Sequence, residues 1–336
     1  MKEGELRVAL IGTGAIAQIV HLPILTGMAG VRVEGVCDLD HAKARTIAGR
    51  LGIPRVFRRD EDVFTSDDLD AVILCSPNPV HQEQAIAALQ GGKHVLVERP
   101  LALDARGAEA TVRAAEVAER TLMVAYNNRF RPDTQGVRGF LASGELGEVI
   151  SMRATWLNRK VRPKRLTWRH RRSTPGAGVF MDLGVQALDL CLWMLDYPRV
   201  DRICAHLHPG EDIEVEDTAA VLLRLASGGT IFVEVSWSLQ GERDRHGVQV
   251  LGTAGYASIQ PLEVYKEVET GILNVTPQIQ RGRENAYTAS YREELRRFVS
   301  AAMSQSPAEP PREQIQLMRI ASAVYESAEK GKELRV

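Results

Sequence analysis

The first third of the chain alternates short, wholly apolar β-rich runs with amphipathic stretches of helical period. LRVALIG precedes a helical stretch over 15–27, VRVEGVCD one over 40–51, AVILCSP one over 79–91 and HVLVE one over 104–120, and LMVAY closes the series. Such runs belong to parallel strands buried on both faces by the helices between them. From about residue 126 the pattern changes. A helix-like stretch at 132–143 stops at Ser143-Gly144, a strand follows near 148–157, and a basic loop comes next. A Gly-rich segment leads into an apolar helix near 179–196. Strands then follow around 199–207, 216–225, 229–237 and 246–259 with no helix between them. This succession predicts an antiparallel or mixed sheet. Two helices near 288–303 and 311–329 close the chain on either side of the Pro-rich turn 306–311. The whole predicts an α/β protein: a Rossmann domain with a doubly wound parallel sheet over 1–125, and an α+β domain over 126–336.

Length agrees with two domains, since 336 residues can bury two cores. With 44% apolar and 25% charged residues the composition is that of an ordinary globular chain, and a formal net charge of −1 carries no nucleic-acid signature. Met1-Lys2-Glu3-Gly4-Glu5 runs directly into a strand, which gives the expectation of no signal peptide, and no apolar stretch is long enough to span a membrane. Cys37, Cys75, Cys191 and Cys204 have no metal-binding or redox spacing, so buried reduced thiols in a cytoplasm are expected.

Candidate chemistry begins at Gly12-Thr13-Gly14-Ala15-Ile16-Ala17, which reads GxGxxA between a strand and a helix. There Gly12 permits a tight turn, Gly14 lets backbone approach a pyrophosphate, and Ala17 allows close packing of helix on strand. The helix N-terminus then offers free N–H groups to the phosphates. Asp38, ending the next strand, stands where a carboxylate accepts hydrogen bonds from an adenosine ribose. It would repel a 2′-phosphate, so NAD is expected in preference to NADP, with NADP possible.

The chain resembles the glucose-fructose oxidoreductase/inositol dehydrogenase (Gfo/Idh/MocA) family over nearly its whole length. The resemblance rests on four blocks in order: GTGAIAQIVHLP, ILCSPNPVHQEQAIAALQGGKHVLVERPLAL, VAYNNRFRP and PGAGVFMDLGVQALDLCLWML. It implies a second domain built on a large, mostly antiparallel open sheet, often used to form homo-oligomers, here a dimer or tetramer. It also implies NAD(P)-dependent oxidation or reduction of a sugar, cyclitol or related small polar molecule. It places Ser76, Pro77, Asn78 and His81 around the cofactor, Glu98-Arg99-Pro100 at its nicotinamide end, and Asp182 and Gln186 toward the substrate.

The chain departs from that family pattern twice: Arg99 stands where the lysine of EKP is usual, and Gln186 where a histidine is usual. Arginine stays protonated and glutamine does not titrate, so neither serves as a base. Arg99 can still donate hydrogen bonds to an oxygen gaining negative charge. Three readings follow. One is an active oxidoreductase in which Asp182, a water or another group moves the proton. A second is a cofactor-binding sensor or partner subunit without turnover. The third is a lyase or glycosidase that uses bound NAD transiently.

Other residues admit both a functional and a structural role. The loop from Arg159 to Arg172 carries Arg159, Lys160, Arg162, Lys164, Arg165, Arg169, His170, Arg171 and Arg172. It reads as a solvated loop or oligomer contact, or as an anion site in which Arg169 binds a uronate or phosphorylated sugar. Asn127 and Arg129, just past the last Rossmann strand, are candidate substrate ligands, with capping of the domain junction as the rival. His21 points to the cleft or packs. His206 and His208 lack the further ligands a metal needs, and no metal site is expected. The four tryptophans, Trp156, Trp168, Trp193 and Trp237, read as core or interface residues.

Overall fold

The computed structural model describes residues 4–161, 165–279 and 284–336. It divides into two compact units, Met1–Asn127 with Tyr287–Ile315, and Asn128–Ala286 with Gln316–Val336.

In the first unit six parallel strands run β1 (Leu6–Ile11), β2 (Val31–Cys37), β3 (Arg55–Phe57), β4 (Ala71–Leu74), β5 (His94–Glu98) and β6 (Leu122–Ala125). Their order, β3-β2-β1-β4-β5-β6, reverses beside β1, as in a dinucleotide-binding fold. The helices are α1 (Leu22–Thr26), α2 (His41–Leu51), α3 (Asp60–Phe64), α4 (His81–Gln90) and α5 (Ala105–Ala118). Sequence sets their starts: Asp40 caps α2 through the Lys43 amide at 3.0 Å, and Asp104 caps α5 through the Gly107 amide at 2.8 Å. The apolar runs are mostly buried, with Val8, Ala9, Leu10, Val72, Ile73 and Leu96 fully inaccessible. A wide π-helical turn, Ala17–His21, precedes α1 and was not foreseen.

The second unit begins with α6 (Pro132–Ala142) and β7 (Val149–Arg159). After a second π-helical turn, Phe180–Gly184, come α7 (Val185–Met194), β8 (Val200–Pro209), β9 (Glu216–Leu225), β10 (Thr230–Leu239), β11 (Arg245–Gly252), β12 (Gly255–Ile259), β13 (Glu263–Val268) and β14 (Gly271–Asn274). The chain ends with α8 (Ala286–Ala302), α9 (Glu313–Lys330) and β15 (Leu334–Arg335). The nine-stranded sheet has the order β14-β13-β12-β11-β7-β10-β9-β8-β15, and β7 with β10 is its parallel pair. The expected class, a Rossmann sheet followed by a mostly antiparallel open sheet, is the one observed. The run expected as one strand over 246–259 is two, β11 and β12, because the chain turns at Thr253-Ala254.

A boundary at 126 misses one feature. Tyr291, Leu295, Phe298, Val299 and Ala302 of α8 join the core of β1, β2 and α1, so the chain returns to the first unit after completing most of the second sheet. The apolar spacing of α8 shows a buried face but not which core receives it. The expectation of four buried thiols also needs correction. Cys37 and Cys191 are buried and Cys75 half-buried, but Cys204 lies exposed on β8, where alternate residues face outward. Of the tryptophans, Trp156 is buried and Trp168, Trp193 and Trp237 are half-buried.

Phe298 is fully buried in the first unit's core. Phe298→Ala should lower stability to urea unfolding by about 3–5 kcal/mol; a loss below about 1 kcal/mol would show that α8 does not belong to that core.

Candidate functional site

In the first unit the strand ends converge on the turn after β1. Gly12 donates its N–H to the Cys37 carbonyl at 2.8 Å and has φ +88°. A Cβ there would lie 2.6 Å from the Cys75 carbonyl group and 2.7 Å from the Ser76 nitrogen, so only glycine fits between the ends of β2 and β4. Thr13 sends both its N–H and its hydroxyl, each at 2.7 Å, to the same Asp38 oxygen. The other Asp38 oxygen accepts from the Asp40 amide at 2.8 Å, and Lys43 approaches at 2.9 Å. Burial alone would raise the Asp38 pKa, but these hydrogen bonds outweigh it and hold the carboxyl below its ordinary value. Gly14 has nothing within 4 Å of where a Cβ would stand, and Ala15 is exposed, Ile16 partly so and Ala17 buried against the sheet. An open backbone face at a helix start beside a fixed carboxylate fits a dinucleotide's diphosphate and ribose.

Ser76, Pro77 and Asn78 follow β4, with Pro77 exposed and Asn78 buried. His81 is buried beneath them, its two ring nitrogens each 2.8 Å from a backbone carbonyl, those of Pro100 and Ser76. Burial lowers its pKa against the opposing pull of the two carbonyls, and the ring clamps the loop between them. At the end of β5 Glu98 is buried between two partners: His21 from the π-helical turn at 2.7 Å and Arg99 at 3.1 Å. Burial would raise the Glu98 pKa, but the hydrogen bond and charge of His21, then Arg99, push it down to about 2. His21 packs rather than facing the open cleft: it is fully buried and bonded to Glu98, with the Tyr291 ring edge-on at 5.8 Å. Asn127 is buried and donates to Ser290 at 3.0 Å, a tie between β6 and α8.

In the second unit Asp182 sits in the π-helical turn, partly exposed, with Arg169 at 3.6 Å. Gln186, on the first turn of α7, accepts from Asn128 at 2.9 Å and is 7% exposed. Arg129, a candidate substrate ligand by sequence, is bound to Asp189 through two hydrogen bonds, at 2.8 and 2.5 Å, and donates to Tyr197 at 3.2 Å. Its fork is thus engaged with α7 and the segment after it. The sequence shows Asp189 as sharing a helix face with Asp182 and Gln186, but not that an arginine sixty residues upstream meets it. A cavity of about 490 Å³ opens beside Asp182 and Arg169, with Asn158, His170, Asp217 and Trp237 in its walls. In the sequence Asp217 reads as an ordinary strand-end residue and Trp237 as a core or interface residue, so neither points to a cavity. Glu216, next in line, is also functional in a structural sense: it accepts from the Phe180 amide at 3.2 Å and from Tyr325 at 3.0 Å, anchoring the turn that carries Asp182. Burial raises its pKa.

In the basic loop Arg159 meets Asp244, Lys160 meets Glu211 at 2.7 Å, and Arg169 meets Asp182. Arg162 and Lys164 lie outside the described residues. His206 and His208 are exposed on β8, and no group of three or more metal-binding side chains occurs among the described residues.

Two family models match the chain: an oxidoreductase family with an NAD-binding Rossmann fold over residues 6–126, and the GFO/IDH/MocA C-terminal domain over residues 134–258. A curated relative, D-xylose 1-dehydrogenase (NADP(+)) 2 of Haloferax volcanii, is 31% identical over 324 residues, or 96% of this chain and 97% of the relative. The chain belongs to the Gfo/Idh/MocA family. It is accordingly an oxidoreductase with an NAD-binding Rossmann domain. Another member, D-glucoside 3-dehydrogenase of Escherichia coli (strain K12), is 26% identical over 98% of this chain and 97% of its own. Among solved structures, GenD2 from gentamicin A biosynthesis in complex with NAD superposes with a TM-score of 0.86 at 25% identity, covering 100% of this chain and 97% of that one. No helix among the described residues is long and apolar enough to cross a membrane.

The low pKa of Glu98 has a defined consequence. A carboxyl whose folded pKa lies below its ordinary 4.5 stabilises the fold fully above that value and loses the contribution as pH falls toward about 2. Glu98→Gln should therefore flatten the acid limb of thermal stability between those pH values, measured by circular dichroism melting. An acid limb as steep as in the parent would show that the cluster is not ionised as described.

Proposed function

We propose that the protein is an NAD-preferring dehydrogenase or reductase that interconverts a hydroxyl and a carbonyl on a small, uncharged polyhydroxylated molecule, a sugar or cyclitol. The carrying observation is the cradle of the first unit: Gly12 wedged between the ends of β2 and β4, and Thr13 bound twice to Asp38. In this reading Gly12, Thr13, Gly14, Ala15 and Ile16 hold the diphosphate, Asp38 the adenosine ribose, and Ser76, Pro77, Asn78, Glu98 and Arg99 the nicotinamide half. The bound nicotinamide supplies the hydride acceptor or donor. Arg99, fixed by Glu98, donates hydrogen bonds to the oxygen that gains negative charge. Asp182 accepts the hydroxyl proton, and Gln186, fixed by Asn128, orients the reacting group.

The relatives' names support the substrate class, since they act on D-glucosides and D-xylose. The sensor and lyase readings gain no support from them. An anionic substrate is not favoured either, because Arg159, Lys160 and Arg169 each already face a carboxylate. NAD is preferred over NADP on the ground of Asp38, whose charge is held low in pKa and would oppose a 2′-phosphate. Free thiols at all four cysteines suit a reducing cytoplasm. Leu222 and Leu251, exposed on the outer face of the second sheet, support a homo-oligomer.

Calorimetry with NAD and NADP should show tighter binding of NAD, and Asp38→Ser should narrow that preference by at least about tenfold. Tighter binding of NADP by the parent would overturn the preference. Asp182→Asn should lower kcat for NADH formation from a sugar and polyol panel by about a hundredfold or more while leaving NAD affinity unchanged. Undiminished kcat would remove Asp182 as proton acceptor.

A further inference from the structure

The inner face of the second sheet is written in three strands that stop being apolar at the same end. Along β9 the inward residues are Asp217, Ala219, Val221, Leu223 and Leu225, and all but the first are apolar and buried. Along β10 they are Ile231, Val233 and Val235, then the half-buried Trp237. Along β7 they are Met152, Ala154 and Trp156, then Asn158. Ser236 pairs with Thr218 in the β9/β10 ladder, so Trp237 and Asp217 stand one step beyond that pair, and Asn158 ends the neighbouring column. Where the apolar columns end, the cavity begins, and these three side chains are part of its wall.

Asp217 is 9% exposed, and its carboxylate is held by hydroxyls alone: Thr218 donates at 3.0 Å to one oxygen and Ser238 to the other. The Thr218 hydroxyl is itself bonded to Ser236 at 2.9 Å, and the Ser238 amide donates to Ser236 at 2.9 Å, so the carboxylate's orientation is fixed by a chain of hydroxyls. Among the described residues no lysine or arginine pairs with it, and the basic side chain that comes within 4.0 Å is the exposed His208 imidazole. A buried carboxylate with so few donors has acceptor capacity left over, and donors on a ligand in the cavity would use it. Trp237 supplies an apolar ring beside it, held edge-on to His170 at 5.7 Å. A carboxylate next to an indole in a cavity of about 490 Å³ suits one sugar ring, whose C–H face lies on the indole and whose adjacent hydroxyls donate to the acid.

We propose that Asp217 is a specificity-determining residue that accepts hydrogen bonds from hydroxyls of the sugar or cyclitol ring, and so admits uncharged substrates and rejects sugar acids. This rests on the proposed function only for the choice of a polyol as ligand. The test is calorimetry on the full chain in the presence of NADH with glucose, myo-inositol and glucuronate, for the parent and for Asp217→Asn. The parent should bind at least one of the two neutral compounds more tightly than glucuronate. In Asp217→Asn that compound's Kd should rise about ten- to a hundredfold, glucuronate should bind no more weakly than to the parent, and NADH affinity should stay the same. Should Asp217→Asn fail to fold, Trp237→Ala must weaken the same neutral compound at least about tenfold. Tightest binding of glucuronate by the parent, no binding of either neutral compound, or variant Kd values within about twofold of the parent overturn the proposal. Sugar binding without NADH formation from NAD would instead sink the dehydrogenase reading and leave this assignment standing.

Discussion

A carboxylate taken out of water must be met by donors, because an unmet charge in the interior costs several kcal/mol. Four carboxylates that are buried or half-buried organise their surroundings by the way each is satisfied. Glu98 is met by His21 and Arg99, which joins the end of β5 to the turn before α1 and sets the guanidinium in place. Asp189 is met by Arg129 and Tyr197, which pins α7 to the start of the second unit. Glu216 takes the Phe180 amide and the Tyr325 hydroxyl, and through them fixes the turn that holds Asp182. Asp217 is met by two hydroxyls of its own sheet and opens onto a cavity. Three of these acids are joined to an arginine, a histidine or a main-chain amide; the fourth has capacity for a ligand.

Both π-helical turns fall where such an acid acts. Ala17–His21 brings His21 to Glu98, and Phe180–Gly184 carries Asp182 above the anchoring contact of Glu216. An extra residue in a helical turn widens it and rotates the side chains that follow, a recurrent device at functional sites. In a regular helix the spacing of His21 or Asp182 to its neighbours would be the ordinary three or four, and the same side chain would face another direction.

The sequence made legible whatever depends on local pattern. The strand runs, the GxGxxA turn and the acid at the end of β2 are short-range signals, and Gly12 and Asp38 stand where those signals put them. Partners chosen from far along the chain were not legible. Arg129 looked available to a substrate because Asp189 lies sixty residues away. The apolar face of α8 could not announce that it packs on β1, almost three hundred residues earlier. Trp237 looked like core because each strand, read alone, shows only alternation; the cavity emerges when β7, β9 and β10 are set side by side and their columns are seen to end together.

Arg99, standing where the family resemblance leads one to expect a lysine, fits this scheme of fixed charges. A lysine at this position could lose its proton to relay one; an arginine cannot, and here Glu98 holds it as a permanent donor. A group of that kind stabilises an oxyanion and leaves proton movement to residues that titrate or accept. Around the cavity those are carboxylates and His170, whose pKa burial lowers and whose Nδ1 accepts from the Thr167 amide at 3.1 Å. Asp182, partly exposed and set in a turn anchored by Glu216, is a carboxylate with access to both solvent and cavity. In the proposed mechanism, where Arg99 cannot act as base, the proton acceptor is therefore sought among the carboxylates of the second unit, with Asp217, held behind its hydroxyls, given to recognition and Asp182 to the proton.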